Sequence, residues 1–169
     1  MTSTDSSLAV VVPALNEEGT IGEIVSAIRK KGYDVIVVDD GSEDKTGLLA
    51  LERGAKIITH KSTLGYEEAL STGVYHAITK GYLFFATFDA DGQFDPEDLE
   101  RLLEIQIKEN SDIVIGIRSH LNRVSEHIIN FYGRFKFGIS DPLCGLKLYR
   151  SSSASKYLPF DRLQLVGME

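Results

Sequence analysis

Thr87-Phe88-Asp89-Ala90-Asp91-Gly92-Gln93 closes the apolar run Tyr82 to Phe88 and sets two carboxylates one residue apart where that run ends. The run reads as a buried strand. Residues i and i+2 of an extended chain point to the same face, so Asp89 and Asp91 can converge on one divalent cation. Hard oxygen ligands favour Mg²⁺ or Mn²⁺, and a cation held by one or two carboxylates shares its remaining positions with substrate phosphates. Two acids before a glycine also describe an ordinary solvated turn. What separates the two readings is the company the motif keeps.

Upstream, Leu8-Ala9-Val10-Val11-Val12 reads as a strand that Pro13-Ala14-Leu15-Asn16-Glu17-Glu18 closes into a turn, and Asp34-Val35-Ile36-Val37-Val38 ends at Asp39-Asp40-Gly41-Ser42. Three strands thus finish in polar clusters. Ligands of open sheets with helical crossovers collect at the carboxyl ends of the strands, so the three clusters are expected to share one crevice. Between and after them the periodicity alternates. Ile21, Ile24, Val25 and Ile28 mark one helix face, Leu48, Leu49 and Leu51 a second helix, and Lys56-Ile57-Ile58-Thr59 a short strand. A helix through Ala69, Gly73, Val74, Ala77 and Ile78 leads to the strand that delivers Asp89. Pro96 starts another helix with Asp95 as its cap and Leu99, Leu102, Leu103 and Ile107 inward. Ile113-Val114-Ile115 and Leu146 to Tyr149 are further strands. The expected fold is α/β, a Rossmann-like, mostly parallel sheet with helices on both faces.

At 169 residues, 43% hydrophobic and 25% charged, the chain suits one globular domain with a real core. A net charge of −7 argues against nonspecific nucleic-acid binding and requires that an anionic ligand be met by local cations or a metal. Cys144 is the single cysteine, which excludes an intramolecular disulfide. No stretch approaches the roughly 18 uninterrupted apolar residues of a membrane span, and Met1 to Ser7 has no signal-peptide core, so a cytoplasmic protein is expected.

In order along the chain, Val12-Pro13-Ala14-Leu15-Asn16-Glu17, Val37-Val38-Asp39-Asp40-Gly41-Ser42 and Asp89-Ala90-Asp91-Gly92-Gln93 resemble the nucleotide-sugar glycosyltransferases of family two, which have the GT-A fold. Leu64-Gly65 with Ala69-Leu70 and Gly73 looks like that family's glycine and alanine helix start in altered form. Gly116-Ile117-Arg118 and Asp141-Pro142-Leu143-Cys144-Gly145-Leu146-Lys147-Leu148-Tyr149-Arg150 look like the branch that glycosylates polyprenyl phosphates, including dolichol-phosphate mannose synthases. The resemblance implies a donor half over residues 1–118 and an acceptor-side part over 119–169, shortened against the family pattern.

It also implies roles. Asp40, with Asp39 beside it, would accept from the base or ribose of GDP-mannose or UDP-glucose; an Asp-Gly turn accounts for the same residues. Pro13 and Asn16 would shape the loop under the nucleotide and Glu17 would accept from it, while helix capping by Asn16 is the competing account. Asp89, Asp91 and Gln93 would hold Mg²⁺ or Mn²⁺, and Ala90 would line the donor site between them. The cation would offset charge on the departing nucleoside diphosphate. Arg118 would fork onto phosphate, as would Arg134 and, less directly, Lys136, although surface solvation is the usual use of such residues.

Displacement at the anomeric carbon with inversion is the implied reaction. A phosphate acceptor is already anionic and needs no strong base; a saccharide or protein acceptor would want one, for which Asp141 is the candidate beside its plainer role in an Asp-Pro turn. Cys144 is expected to be a small buried packing residue. Leu121 to Phe137 is an amphipathic helix that either packs on the core or lies at an anionic membrane surface, making the protein peripheral at the cytoplasmic face. A noncatalytic nucleotide-sugar-binding subunit is the reading from outside enzymology.

Overall fold

The computed structural model describes residues 7–91, 94–117 and 124–156. Strand β1 (Leu8–Ala14) is buried along its whole length. Its alternate residues serve two cores. Leu8, Val10 and Val12 face a cluster with Ile21, Val25 and Ile28 of α1 (Ile21–Lys30) and Leu99 and Leu102 of α4 (Glu97–Glu109). Ala9 and Val11 face the other side, with Val74 and Ala77 of α3 (Tyr66–Thr79). Burial on both faces is why this strand reads as an unbroken apolar run and not as an alternating one. Each fully buried aliphatic side chain contributes about 1.5–3 kcal/mol, so the two clusters dominate the fold's stability.

The remaining strands are β2 (Asp34–Asp39), β3 (Lys56–Thr59), β4 (Phe84–Thr87), β5 (Ile113–Ile115) and β6 (Lys147–Arg150), and α2 (Thr46–Glu52) lies between β2 and β3. The sheet runs β3-β2-β1-β4-β6-β5. The first four strands are parallel, and β6 is antiparallel to both of its neighbours. Strand order therefore reverses between β1 and β4, which opens a crevice at their carboxyl ends. Because β6 lies between β4 and β5, the described part of the expected acceptor side shares the donor side's sheet.

Gly73 lets α3 approach the sheet closely. A Cβ there would stand 2.3 Å from Val11 Cγ1 and 3.0 Å from Val38 Cγ2. That proximity offsets the cost of about 0.5–1 kcal/mol for glycine inside a helix.

Ahead of α4, Asp95 Oδ1 accepts from the Glu97 N–H at 2.9 Å, but the N-cap position falls on Pro96 and not on Asp95 as expected. Leu99 and Leu102 are buried and Leu103 packs against the same cluster, but Ile107 is 61% exposed. At about 100° per residue Ile107 lies roughly 80° from Leu99 around the helix, whereas Gln106 falls back into the stripe. Gln106 is wholly buried and its Nε2 donates to the carbonyls of Ser111 and Asp112, which fixes the turn into β5. Helix α5 (Val124–Phe137) and the short α6 (Ser151–Ala154) complete the described elements.

Candidate active site

The crevice is a cavity of about 280 Å³ walled by the ends of β1 and β4 and by the start of α3. Pro13 comes from the end of β1 and Leu15 and Glu17 from the loop after it, Asp40 from just past β2, Gly65 and Tyr66 from the N-terminus of α3, and Asp89, Ala90 and Asp91 from the segment after β4. Six residues singled out in the sequence, Pro13, Glu17, Asp40, Asp89, Ala90 and Asp91, thus meet in one place.

Two other donor-side residues do a different job. Asn16 adopts a left-handed backbone, φ 56°. Its N–H donates to Ser42 Oγ at 3.0 Å and its Oδ1 accepts from the Glu43 N–H at 2.9 Å, so it staples the β1 loop to the β2 loop and does not cap α1. Glu17 and Glu18 extend the seam, their N–H groups donating to Thr46 Oγ1 and Asp44 Oδ2. Asp39 is buried, its Oδ1 accepting from the Ser42 N–H at 2.9 Å; it holds its own turn and is not among the residues lining the cavity.

Asp40 is 3% exposed and carries a network the sequence did not reveal. Its carboxylate accepts from the N–H groups of Leu64 at 2.9 Å and Gly65 at 2.7 Å, and His60 Nδ1 lies 2.6 Å away. Burial pushes this carboxyl upward, yet donation from Leu64, His60 and Gly65 outweighs it and leaves the group below the ordinary carboxylate value. With Asp40 ionised, Nδ1 of His60 is the protonated nitrogen facing it. In the neutral ring, Nε2 then accepts from Thr72 Oγ1 at 3.1 Å. Three donors use three of the roughly four lone-pair positions of a carboxylate, so Asp40 clamps the loop before α3.

Asp89 is held from two sides. Tyr66 Oη donates to its Oδ1 at 2.8 Å. On the other side, a Cβ at Gly145 would stand 1.7 Å from Oδ2, so the carboxylate fills a notch that only glycine leaves. Thr87 Oγ1 donates to the Gly145 carbonyl at 2.6 Å and fixes that notch to the end of β4. Burial, then the charge of Asp89, pushes the Tyr66 hydroxyl well above the usual tyrosine value, so it stays a donor at neutral pH. Asp91 is exposed at the mouth of the same cavity.

This set fits a hard divalent cation. The glycine notch admits the Asp89 carboxylate, Asp91 opens onto the same space, and both offer oxygen. Among the described residues no group of three or more acidic, histidine or cysteine side chains forms a ready cage, so ligand phosphates would complete the coordination.

The other expectations fall elsewhere. Gln93 and Arg118 lie outside the described residues. Arg134 and Lys136 are exposed on α5 and do not line the cavity; Lys136 Nζ donates to Tyr132 Oη at 2.7 Å. Asp141 is 1% exposed, with its carbonyl accepting from the Cys144 N–H in the turn before β6. Cys144 is buried as expected. Tyr66, His60 and Thr72 were not singled out by the sequence, whereas Gly145 stood in the motif Asp141 to Arg150 without a role of its own.

The family model described as Glycosyl transferase family 2 matches residues 9–155. An uncharacterised protein of Methanocaldococcus jannaschii is 35% identical over 88% of this chain and 67% of its own length. The UDP-N-acetylglucosamine–dolichyl-phosphate N-acetylglucosaminyltransferase of Methanococcus voltae is 32% identical over 68% of this chain and 53% of its own length. For the polyprenol monophosphomannose synthase of Mycolicibacterium smegmatis the values are 29%, 87% and 63%. The chain therefore spans about half to two-thirds of the length of these relatives. Glucosyl-3-phosphoglycerate synthase from Mycobacterium tuberculosis, solved with Mn²⁺, UDP-glucose and phosphoglyceric acid, superposes with a TM-score of 0.70 at 24% identity, covering 86% of this chain and 57% of that one. Both the matched span and the sheet order lead to one assignment: the chain belongs to glycosyl transferase family 2 and has the GT-A fold.

Proposed function

We propose that the protein moves a hexose from a nucleoside-diphosphate sugar, GDP-mannose or UDP-glucose, to a polyprenyl phosphate, with Mg²⁺ or Mn²⁺ at Asp89 and Asp91. The observation that carries this reading is the convergence of Asp40, Asp89 and Asp91 on one cavity at the switch point of the sheet. The names of two relatives, a dolichyl-phosphate N-acetylglucosaminyltransferase and a polyprenol monophosphomannose synthase, support the acceptor. The Mn²⁺ and UDP-glucose bound to the structural neighbour support the donor and the cation.

Asp40 receives a nucleoside N–H or hydroxyl, held rigid by Leu64, Gly65 and His60. Glu17, whose Oε2 accepts from Thr20 Oγ1 at 2.9 Å, borders the same wall. When bound, the cation supplies Lewis-acid neutralisation of the departing diphosphate. Asp89 and Asp91 orient the diphosphate end of the donor at the mouth of the cavity. Gln93 is proposed to add an amide oxygen there, and Arg118 to contact the phosphates. The burial of Asp141 favours an acceptor that is anionic already, since a hydroxyl acceptor would need that carboxylate exposed as its base.

Helix α5 exposes Phe131 at 74% and Phe135 at 86% beside Arg134 and Lys136. Aromatic side chains next to cations suit contact with an anionic lipid surface, where a polyprenyl phosphate resides, and peripheral attachment at the cytoplasmic face is part of the proposal. No described helix is long and apolar enough to cross a membrane. Incubation with each donor, Mn²⁺ and a short polyprenyl phosphate tests the reading. A glycosylated lipid phosphate and free nucleoside diphosphate are expected, and donor hydrolysis without lipid product would favour a different acceptor.

A further inference from the structure

We propose that Tyr66 is a positioning residue that links the nucleotide end of the cavity to its cation end. The link is a chain of contacts. Asp40 holds the Gly65 N–H at 2.7 Å, Gly65 precedes the first residue of α3 with φ 103°, that residue is Tyr66, and its hydroxyl donates to Asp89 Oδ1 at 2.8 Å. Two acids that lie 49 positions apart in sequence are thereby joined through two consecutive residues.

The geometry gives Tyr66 a defined task. A lone carboxylate at the end of a strand rotates about its terminal torsion, which is broad, and a rotating ligand binds a cation less well. Gly145 limits Asp89 on the Oδ2 side by close contact. Tyr66 limits it on the Oδ1 side by a directional hydrogen bond to the ionised oxygen, and such bonds are the strong ones. Residues that hydrogen-bond a ligating carboxylate typically change metal affinity 10- to 100-fold when removed. Tyr66 is also 48% exposed and lines the cavity, so its ring and its hydroxyl must be separated experimentally. Tyr66→Phe keeps the ring and removes only the donor.

This inference rests on the cation reading of Asp89 and Asp91. The test measures Mn²⁺ binding by the electron paramagnetic resonance signal of the free ion, with UDP-glucose or GDP-mannose present, for the wild type and for Tyr66→Phe, together with melting temperature. The wild type is expected to bind, and Tyr66→Phe to bind about 10-fold more weakly while melting within about 3 °C of it. In turnover the Mn²⁺ concentration giving half-maximal rate should rise about 10-fold, while kcat at saturating Mn²⁺ changes less than threefold. Equal Mn²⁺ affinity in the two proteins overturns the role of Tyr66 and leaves the cation reading standing. A wild type that binds no Mn²⁺ with either donor overturns both, and is recognised without reference to the variant.

Discussion

Gly145→Ala is the sharpest perturbation of the site, because it adds one methyl group and changes no charge. The added carbon would stand 1.7 Å from Asp89 Oδ2, 2.5 Å from its Cγ and 2.8 Å from Oδ1. Ordinary contact between a carbon and its neighbours is about 3.5 Å, so nearly 2 Å of overlap must be relieved. The Gly145 carbonyl is tied to Thr87 Oγ1, so the loop is not free to withdraw, and the Asp89 side chain is the part that moves. Forcing extra volume into a filled space costs about 1–3 kcal/mol, which for a domain of this size lowers the melting temperature by about 2–4 °C per kcal/mol. The functional loss should be larger. A catalytic group displaced by about 1 Å can cost on the order of 100-fold, so kcat/KM is expected to fall about 100-fold, with Mn²⁺ affinity down at least 10-fold. Steady-state turnover over a range of Mn²⁺ concentrations, with a thermal melt, measures both. A Gly145→Ala protein that melts like the wild type and keeps its kcat/KM would refute the account of the notch and of Asp89's place in it.

Asp91→Ala is expected to abolish Mn²⁺-dependent donor binding in calorimetry while leaving the fold intact, since Asp91 is exposed; unchanged binding would remove Asp91 from the cation site. Asp40 is held below its ordinary value of 3.8, so its contribution to stability is complete above that pH and is lost as pH falls through the depressed folded value. Asp40→Asn should therefore cost about 1–3 kcal/mol at pH 7 and progressively less below about pH 4, and a cost independent of pH in urea unfolding would contradict the network. Paired Phe131→Ser and Phe135→Ser substitutions should weaken binding to anionic vesicles about 10-fold or more with no change in melting temperature, and equal flotation of wild type and variant would exclude α5 as the contact.

The parallel part of the fold was legible because its signals are local. Leu8 to Val12 and Val35 to Val38 are buried on both faces and so write their position as uninterrupted apolar runs. The place of β6 was not legible. Leu146 to Tyr149 announces a strand, but the antiparallel insertion of β6 between β4 and β5 depends on partners over 30 residues away in sequence. The site divides in the same way. Asp40, Asp89 and Asp91 stand at strand ends and could be read directly. Asp39 and Asn16 stand there too, but Asp39 accepts from the Ser42 N–H of its own turn and Asn16 accepts from the Glu43 N–H of the β2 loop. Tyr66 and His60 find their carboxylates 23 and 20 positions away, which no periodicity encodes. Ile107 was misread because a helical stripe admits either of two adjacent positions, and Gln106 took the inner one to satisfy the carbonyls of the following turn.

The central claim is that one cavity binds a nucleoside-diphosphate sugar through a cation held by Asp89 and Asp91. Calorimetric titration of GDP-mannose and of UDP-glucose into the protein, with Mn²⁺ and again with a chelator, tests it most directly. Saturable binding of one donor that disappears with the chelator is the predicted result; binding of neither donor, or binding of equal strength in both conditions, would contradict it.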